Sequence, residues 1–237
     1  MPLVEYRGNL FASRVQCLVN TVNCVGVMGK GVALEFRRRF PEMFEEYARI
    51  CAAGQLRPGQ ILPYRKSSPW VLNFAVKGDW KFPSRLEWVE KCLTSFAANY
   101  RSLGVKSVAM PWLGAMNGGL DWPTVHRMIR ASLDPLVDIE IELVEFDPAA
   151  PDPAFDRLVA ATRSESRAEF ASRTGIVPRA ARGVVAAIET NVPSFARLAE
   201  MDGLGEKTIE ALYARFAVKA GRGESALAQP TLFETSG

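Results

Sequence analysis

An alternation sustained over the first 147 residues restricts the fold of this chain more than any other feature. Six short β-rich runs, LVEY (3–6), QCLVNTV (16–22), QILPYR (60–65), WVLNFAV (70–76), KSVAMPWL (106–113) and VDIEIELVEF (137–146), are each bounded by turn residues. Helical patterns lie between most of them: KGVALEFRRRF (30–40), PEMFEEYARICAAG (41–54), SRLEWVEKCLTSFAANYRSLG (84–104) and PTVHRMIRASL (123–133). In the third, Ser84 reads as the N-cap and Gly104 as the stop. Strands alternating with helices predict an α/β fold with a six-stranded, largely parallel sheet covered on both faces. Ligands of such sheets bind where strands end, so the loops that follow the strands carry the functional interest.

The segment VEFDPAAPDPAF, with three prolines, marks a boundary near residue 150. Beyond it RAARGVVAAIETN and TIEALYARF read as helices, and no internal repeat is evident. The expected organisation is therefore an α/β domain over 1–150, a small all-helical domain over 151–220 and a polar tail over 221–237. A hydrophobic content of 48% excludes disorder throughout. No apolar run reaches the roughly 18 residues of a membrane span, and MPLVEYRGNL has no secretory-signal pattern, so the expectation is a cytoplasmic protein. Four cysteines without a CxxC pair and a single histidine, His126, give neither a disulfide framework nor a metal centre, and no cofactor is expected. A net charge of +3 does not by itself mark a nucleic-acid binder.

Two loops stand out. In VNTVNCVGVMGKGVALEF (19–36) an apolar strand ends in asparagines, and a glycine-spaced loop opens a helix. Gly26, Gly29 and Gly31 let main-chain N–H groups approach an anion, and the helix directs its positive end the same way. The pattern is neither a P-loop nor GxGxxG. PWLGAMNGGLDWP (111–123) supplies Gly114, Gly118 and Gly119 in a second pliable loop, so the pair suits a diphosphate. Asp121, just ahead of Trp-Pro, is also a good helix N-cap, and Lys77 taken alone would be a solvated side chain.

GNLF (8–11), the 19–36 segment, NFAVK with PSRLEWVEKCL (73–93) and MPWLGAMNGGLDW (110–122), in that order, resemble a macrodomain. The resemblance is to the branch that contains the bacterial DNA ADP-ribosyl glycohydrolase antitoxin DarG and the human terminal ADP-ribose protein glycohydrolase. It covers about residues 3–147 and implies a three-layer α/β/α fold that binds ADP-ribose without a metal. By that resemblance Lys77 stands beside the anomeric carbon of the distal ribose as nucleophile or electrostatic catalyst, and Asp121 is the general base. ADP-ribose contacts would come from Asn9, Leu10, Asn20, Asn23, Gly26, Met28, Gly29, Gly31, Gly114, Gly118, Gly119 and Leu120. Asn9 replaces the usual aspartate, which weakens the bond to the adenine amino group, and KGDWKF departs from the usual basic-histidine continuation. Trp80 and Phe82 in that loop are candidate nucleobase contacts or, equally, hydrophobic plugs.

FARLAEMDGLGEKTIEALYARF (195–216) resembles a helix-hairpin-helix, which implies contacts to a DNA backbone by Gly203, Gly205 and Lys207. Gln229-Pro230-Thr231-Leu232-Phe233 resembles a sliding-clamp docking peptide. Together these point to an ADP-ribosyl glycohydrolase acting on a base in DNA, with a DarT-like transferase toxin as a possible partner. The alternatives are a hydrolase of ADP-ribosylated protein carboxylates and a non-catalytic ADP-ribose reader.

Overall fold

A computed structural model describes residues 3–217. They form two compact units, the first closing at Phe146 and the second opening at Asp147. The clamp-like peptide at 229–233 lies outside the described residues.

The first unit has six strands: β1 (Val4–Gly8), β2 (Cys17–Val22), β3 (Ile61–Tyr64), β4 (Trp70–Ala75), β5 (Ser107–Pro111) and β6 (Glu140–Phe146). They form one mixed sheet in the order β1-β6-β5-β2-β4-β3. All pairings are parallel except β3 with β4. The exception has a simple cause, because the five residues between β3 and β4 are too few for a parallel crossover. Central β2 is apolar and buried on both faces, whereas edge strand β1 is exposed and carries Glu5 and Arg7.

Helices α1 (Gly31–Arg39) and α2 (Pro41–Ala52) close one face around Leu10, Leu18, Phe36, Met43 and Tyr47. Helices α3 (Leu86–Asn99) and α4 (Trp122–Leu133) close the other around Val19, Leu93, Phe96, Val108 and Ile129. The fold is the expected three-layer α/β/α arrangement. Ser84 is not the cap of α3: Arg85 holds that position without a side-chain bond, and the Ser84 hydroxyl has no partner. Gly104 does end the helical stretch. At φ +72 it lets Val105 N–H reach Tyr100 O (2.9 Å) and its own N–H reach Arg101 O (3.0 Å), the Schellman pattern.

The second unit comprises α5 (Pro153–Ser164), α6 (Arg167–Thr174), α7 (Pro178–Glu189), α8 (Phe195–Leu198) and α9 (Glu206–Leu212), the last continuing into a wider turn over Tyr213–Ala217. Phe155, Phe170, Val184, Phe195, Leu212 and Tyr213 form its core. Two of its turns repeat one design, which the sequence alone did not reveal. Gly175 (φ +72) precedes Ile176, Val177 and α7, and Gly203 (φ +85) precedes Leu204, Gly205 and α9. In register, Ala181 and Val184 match Ile209 and Leu212 in the core, while Arg179 and Lys207 are both exposed.

A Cβ on Gly104 would touch nothing within 4 Å, so Gly104→Ala isolates the left-handed backbone. The substitution is expected to cost about 1 kcal/mol of unfolding free energy in a urea titration, with native-state spectra unchanged.

Candidate functional site

The parallel pairings of β2 with β4 and with β5 bring the carboxyl ends of those strands together at one edge. A cleft of about 560 Å³ opens there, and the end of β6 closes one side through Glu145 and Phe146. Its walls are the two glycine loops. Gly29 and Gly31 come from the loop after β2, and Gly114 and Gly118 from the loop after β5.

Each loop is shaped by specific residues. Asn23 braces the first: its amide donates to Val27 O (2.6 Å), and its Oδ1 receives Val25 N–H (3.0 Å). The Tyr47 hydroxyl lies 2.8 Å from Asn23 O and anchors the turn to α2. The loop ends in α1, whose cap residue Lys30 makes no side-chain bond and whose first turn has no acid, so the helix N-terminus is electropositive. In the second loop a Cβ on Gly118 would fall 2.0 Å from Gly114 O, so only glycine fits. The loops meet across the cleft, since a Cβ on Gly31 would come within 2.4 Å of Asn117 Nδ2.

Lys77 follows β4 and lines the cleft. Desolvation lowers its pKa below the ordinary lysine value. Its ammonium donates to Asn117 O (2.6 Å). Lys30 and Lys81 line the same cleft, so three cations stand against one carboxylate, Glu145. Such a site favours an anion. Thiolate chemistry is disfavoured nearby, because burial pushes the Cys24 thiol up to about 12.

Among the residues singled out from sequence, Asn23, Gly29, Gly31, Lys77, Trp80, Gly114 and Gly118 line the cleft. The others lie elsewhere. Asn20 is wholly buried, donating to Asn73 Oδ1 (2.9 Å) with Met28, also buried, over it. Gly26 packs on α2 beside Ala48, Leu10 is in the core, and Leu120 is half-buried against the opposite core face. Asn9 is buried and receives Phe11 N–H (2.9 Å), one residue after the Gly8 that pairs with Phe146. Gly119 is exposed at φ +73. Trp80 is 52% and Phe82 66% exposed, so neither plugs the core, and only Trp80 reaches the cleft.

Asp121 caps α4 and is absent from the cleft lining. Its Oδ2 receives both the Thr124 N–H (3.0 Å) and the Thr124 hydroxyl (2.7 Å). Those bonds hold its carboxyl below the usual range. Sequence reasoning missed Lys30, Lys81, Asn117, Glu145 and Phe146 as lining residues, because only the tertiary fold brings them together. His126, half-buried on α4, lies 2.9 Å from Glu5 and beside Trp122.

A Macro domain family model matches residues 19–129. The macrodomain of Thermus aquaticus DarG superposes with a TM-score of 0.58 at 44% identity, over 60% of this chain and 97% of that one. The chain belongs to the macrodomain family. Thermosipho africanus DarTG in complex with ADP-ribose superposes on this macrodomain protein with a TM-score of 0.58 at 32% identity, over 65% of this chain and 44% of that one. A curated relative from Thermus aquaticus, named DNA ADP-ribosyl glycohydrolase, is 45% identical over 143 residues, 59% of this chain and 40% of that protein. A second of the same name, from Mycobacterium tuberculosis, is 39% identical over 137 residues, 56% of this chain and 39% of its own length. This chain therefore spans about two fifths of the curated relatives it matches. No helix among the described residues is long and apolar enough to cross a membrane.

The capping role of Asp121 can be read from stability in acid. Asp121→Ala should lower the thermal midpoint at neutral pH, whereas Asp121→Asn, whose amide oxygen can still cap, should hold it. Because folding depresses this carboxyl, its contribution is complete above the ordinary value near 3.8 and lost as pH falls through the folded one. Melting curves across that range should show the alanine deficit closing.

Proposed function

We propose that this macrodomain protein hydrolyses the N-glycosidic bond between ADP-ribose and a base in DNA. Lys77 carries the reading: an amine with a lowered pKa lies in an anion-suited cleft between two glycine loops. The names of its relatives support the same chemistry. The adenosine end would lie towards Asn9 and Phe146, and the diphosphate between Gly29–Gly31 and Gly114–Gly118. The distal ribose would then lie at Lys77.

In the first step the neutral amine of Lys77 attacks the anomeric carbon. The glycosidic bond breaks, and its electron pair leaves with the base, which gains a proton from solvent. In the second step water displaces the amine, and Asp121 takes the water's proton. Both capping bonds of Asp121 fall on Oδ2, which leaves Oδ1 to hold that water. Trp80, exposed at the mouth, would stack on the departing or neighbouring base, with Phe82 further out. In the helical unit the Gly203-Leu204-Gly205 turn and Lys207 would hold the DNA backbone, and the matching turn at Gly175 carries Arg179 at the corresponding place. A transferase that adds the modification is the natural counterpart, and one relative is named as a transferase–glycohydrolase fusion. The tail peptide at 229–233 would dock on a sliding clamp.

Two measurements test this reading. With ADP-ribosylated single-stranded DNA, Lys77→Ala should lower turnover about 10²- to 10⁴-fold while ADP-ribose affinity holds. The parent rate should rise with pH as the amine deprotonates, with a midpoint below the ordinary lysine value of 10.5. Release only from glutamate-modified protein would favour a protein substrate, and binding without turnover would favour a reader. Separately, Lys207→Ala should weaken DNA binding equally across sequences and reduce the salt slope by about 1.

A further inference from the structure

Ser84 sits where sequence places a helix cap, yet it caps nothing. The residue is 4% exposed, lines the cleft, and its hydroxyl is buried without a hydrogen-bond partner. A buried unmade hydrogen bond costs about 1–3 kcal/mol, so a hydroxyl kept in that state calls for an explanation. Packing does not supply one, because alanine would fill nearly the same space without a polar atom.

The surroundings define what the hydroxyl can meet. Ser84 N–H donates to Gly118 O (2.9 Å), and Gly114 O is taken by Leu120 N–H (3.1 Å). A Cβ at Gly118 would come within 2.6 Å of Ser84 Oγ, and one at Gly114 within 3.4 Å. The hydroxyl thus stands behind a stretch of loop that carries no side chains. The adjoining peptide oxygen, that of Asn117, is the acceptor that holds Lys77. The main chain of Ser84 and the ammonium of Lys77 therefore hold two consecutive peptides of one loop, 118–119 and 117–118.

We propose that Ser84 is a ligand-contact residue whose hydroxyl hydrogen-bonds the distal ribose of bound ADP-ribose. This rests on the reading that the cleft holds ADP-ribose. The distal ribose is assigned, rather than the diphosphate, because Ser84 and Lys77 hold adjoining peptides of the same loop. The contact orients the sugar that Lys77 attacks and satisfies the orphaned hydroxyl only in the complex.

Calorimetric titration of ADP-ribose and of ADP into the full chain tests this, together with ligand-free melting curves, for the parent, Ser84→Ala and Ser84→Cys. Ser84→Ala should leave the free protein's melting point unchanged or raised. It should weaken ADP-ribose binding about five- to tenfold and leave ADP binding unchanged, with Ser84→Cys behaving alike. A lowered melting point with ADP-ribose affinity intact would make the hydroxyl structural and overturn the proposal. So would equal losses for ADP and ADP-ribose. Should Ser84→Ala lose both stability and affinity, the volume-matched cysteine decides: affinity lost again supports the contact, and affinity restored overturns it. A parent chain that binds neither ligand refutes the cleft reading itself, and this inference with it.

Discussion

Parallel pairing of β2 with both β4 and β5 is the constraint on which the rest of this molecule depends. It sets three strand ends side by side, so the loops after β2 and β5 and the lysine after β4 open into one cavity. An antiparallel neighbour would send its return loop to the opposite edge, as β3 does. The apolar faces around Phe36 and Phe96 hold this order by sealing both sides of the sheet. Substitutions there would act on the cleft only through the sheet.

What the sheet positions, glycine makes usable. Gly118 fits because no Cβ could lie beside Gly114 O, and Gly31 fits because Asn117 lies where its side chain would be. The result is two backbone walls in near contact, with positive charge from the start of α1 and from Lys30, Lys77 and Lys81. Desolvation holds the pKa of the lysine in this arrangement below the ordinary lysine value. Such a cavity suits a diphosphate, with an amine at one end of it.

Much of this was legible in the sequence, for identifiable reasons. The six strands announced themselves because apolar runs between turn residues have few other uses. The glycine loops were visible because a strand ending in asparagines and glycines before a helix is unusual in any other role. Lys77 was not legible from its surroundings and stood out only through the resemblance to macrodomains. The direction of β3 depends on connection length rather than on pattern. Ser84 has the sequence signature of a cap, a serine just before a helix, but the helix starts one residue later and Arg85 takes that place. Asn20 was read as a contact, yet in the middle of a strand buried on both faces its amide is spent on Asn73 and Met28. The recurrence of the Gly175 turn at Gly203 escaped notice because the two stretches share positions of burial more than residue identities.

The central claim is that the cleft binds ADP-ribose with its reactive end at Lys77. A crystal structure of the full chain with ADP-ribose tests it most directly. Such a structure should place the anomeric carbon of the distal ribose within about 3–3.5 Å of Lys77 Nζ, the amine withdrawn from Asn117 O, and the diphosphate between the two glycine loops. Density with the adenine at Lys77, or a cleft that stays empty at saturating ligand, would contradict it.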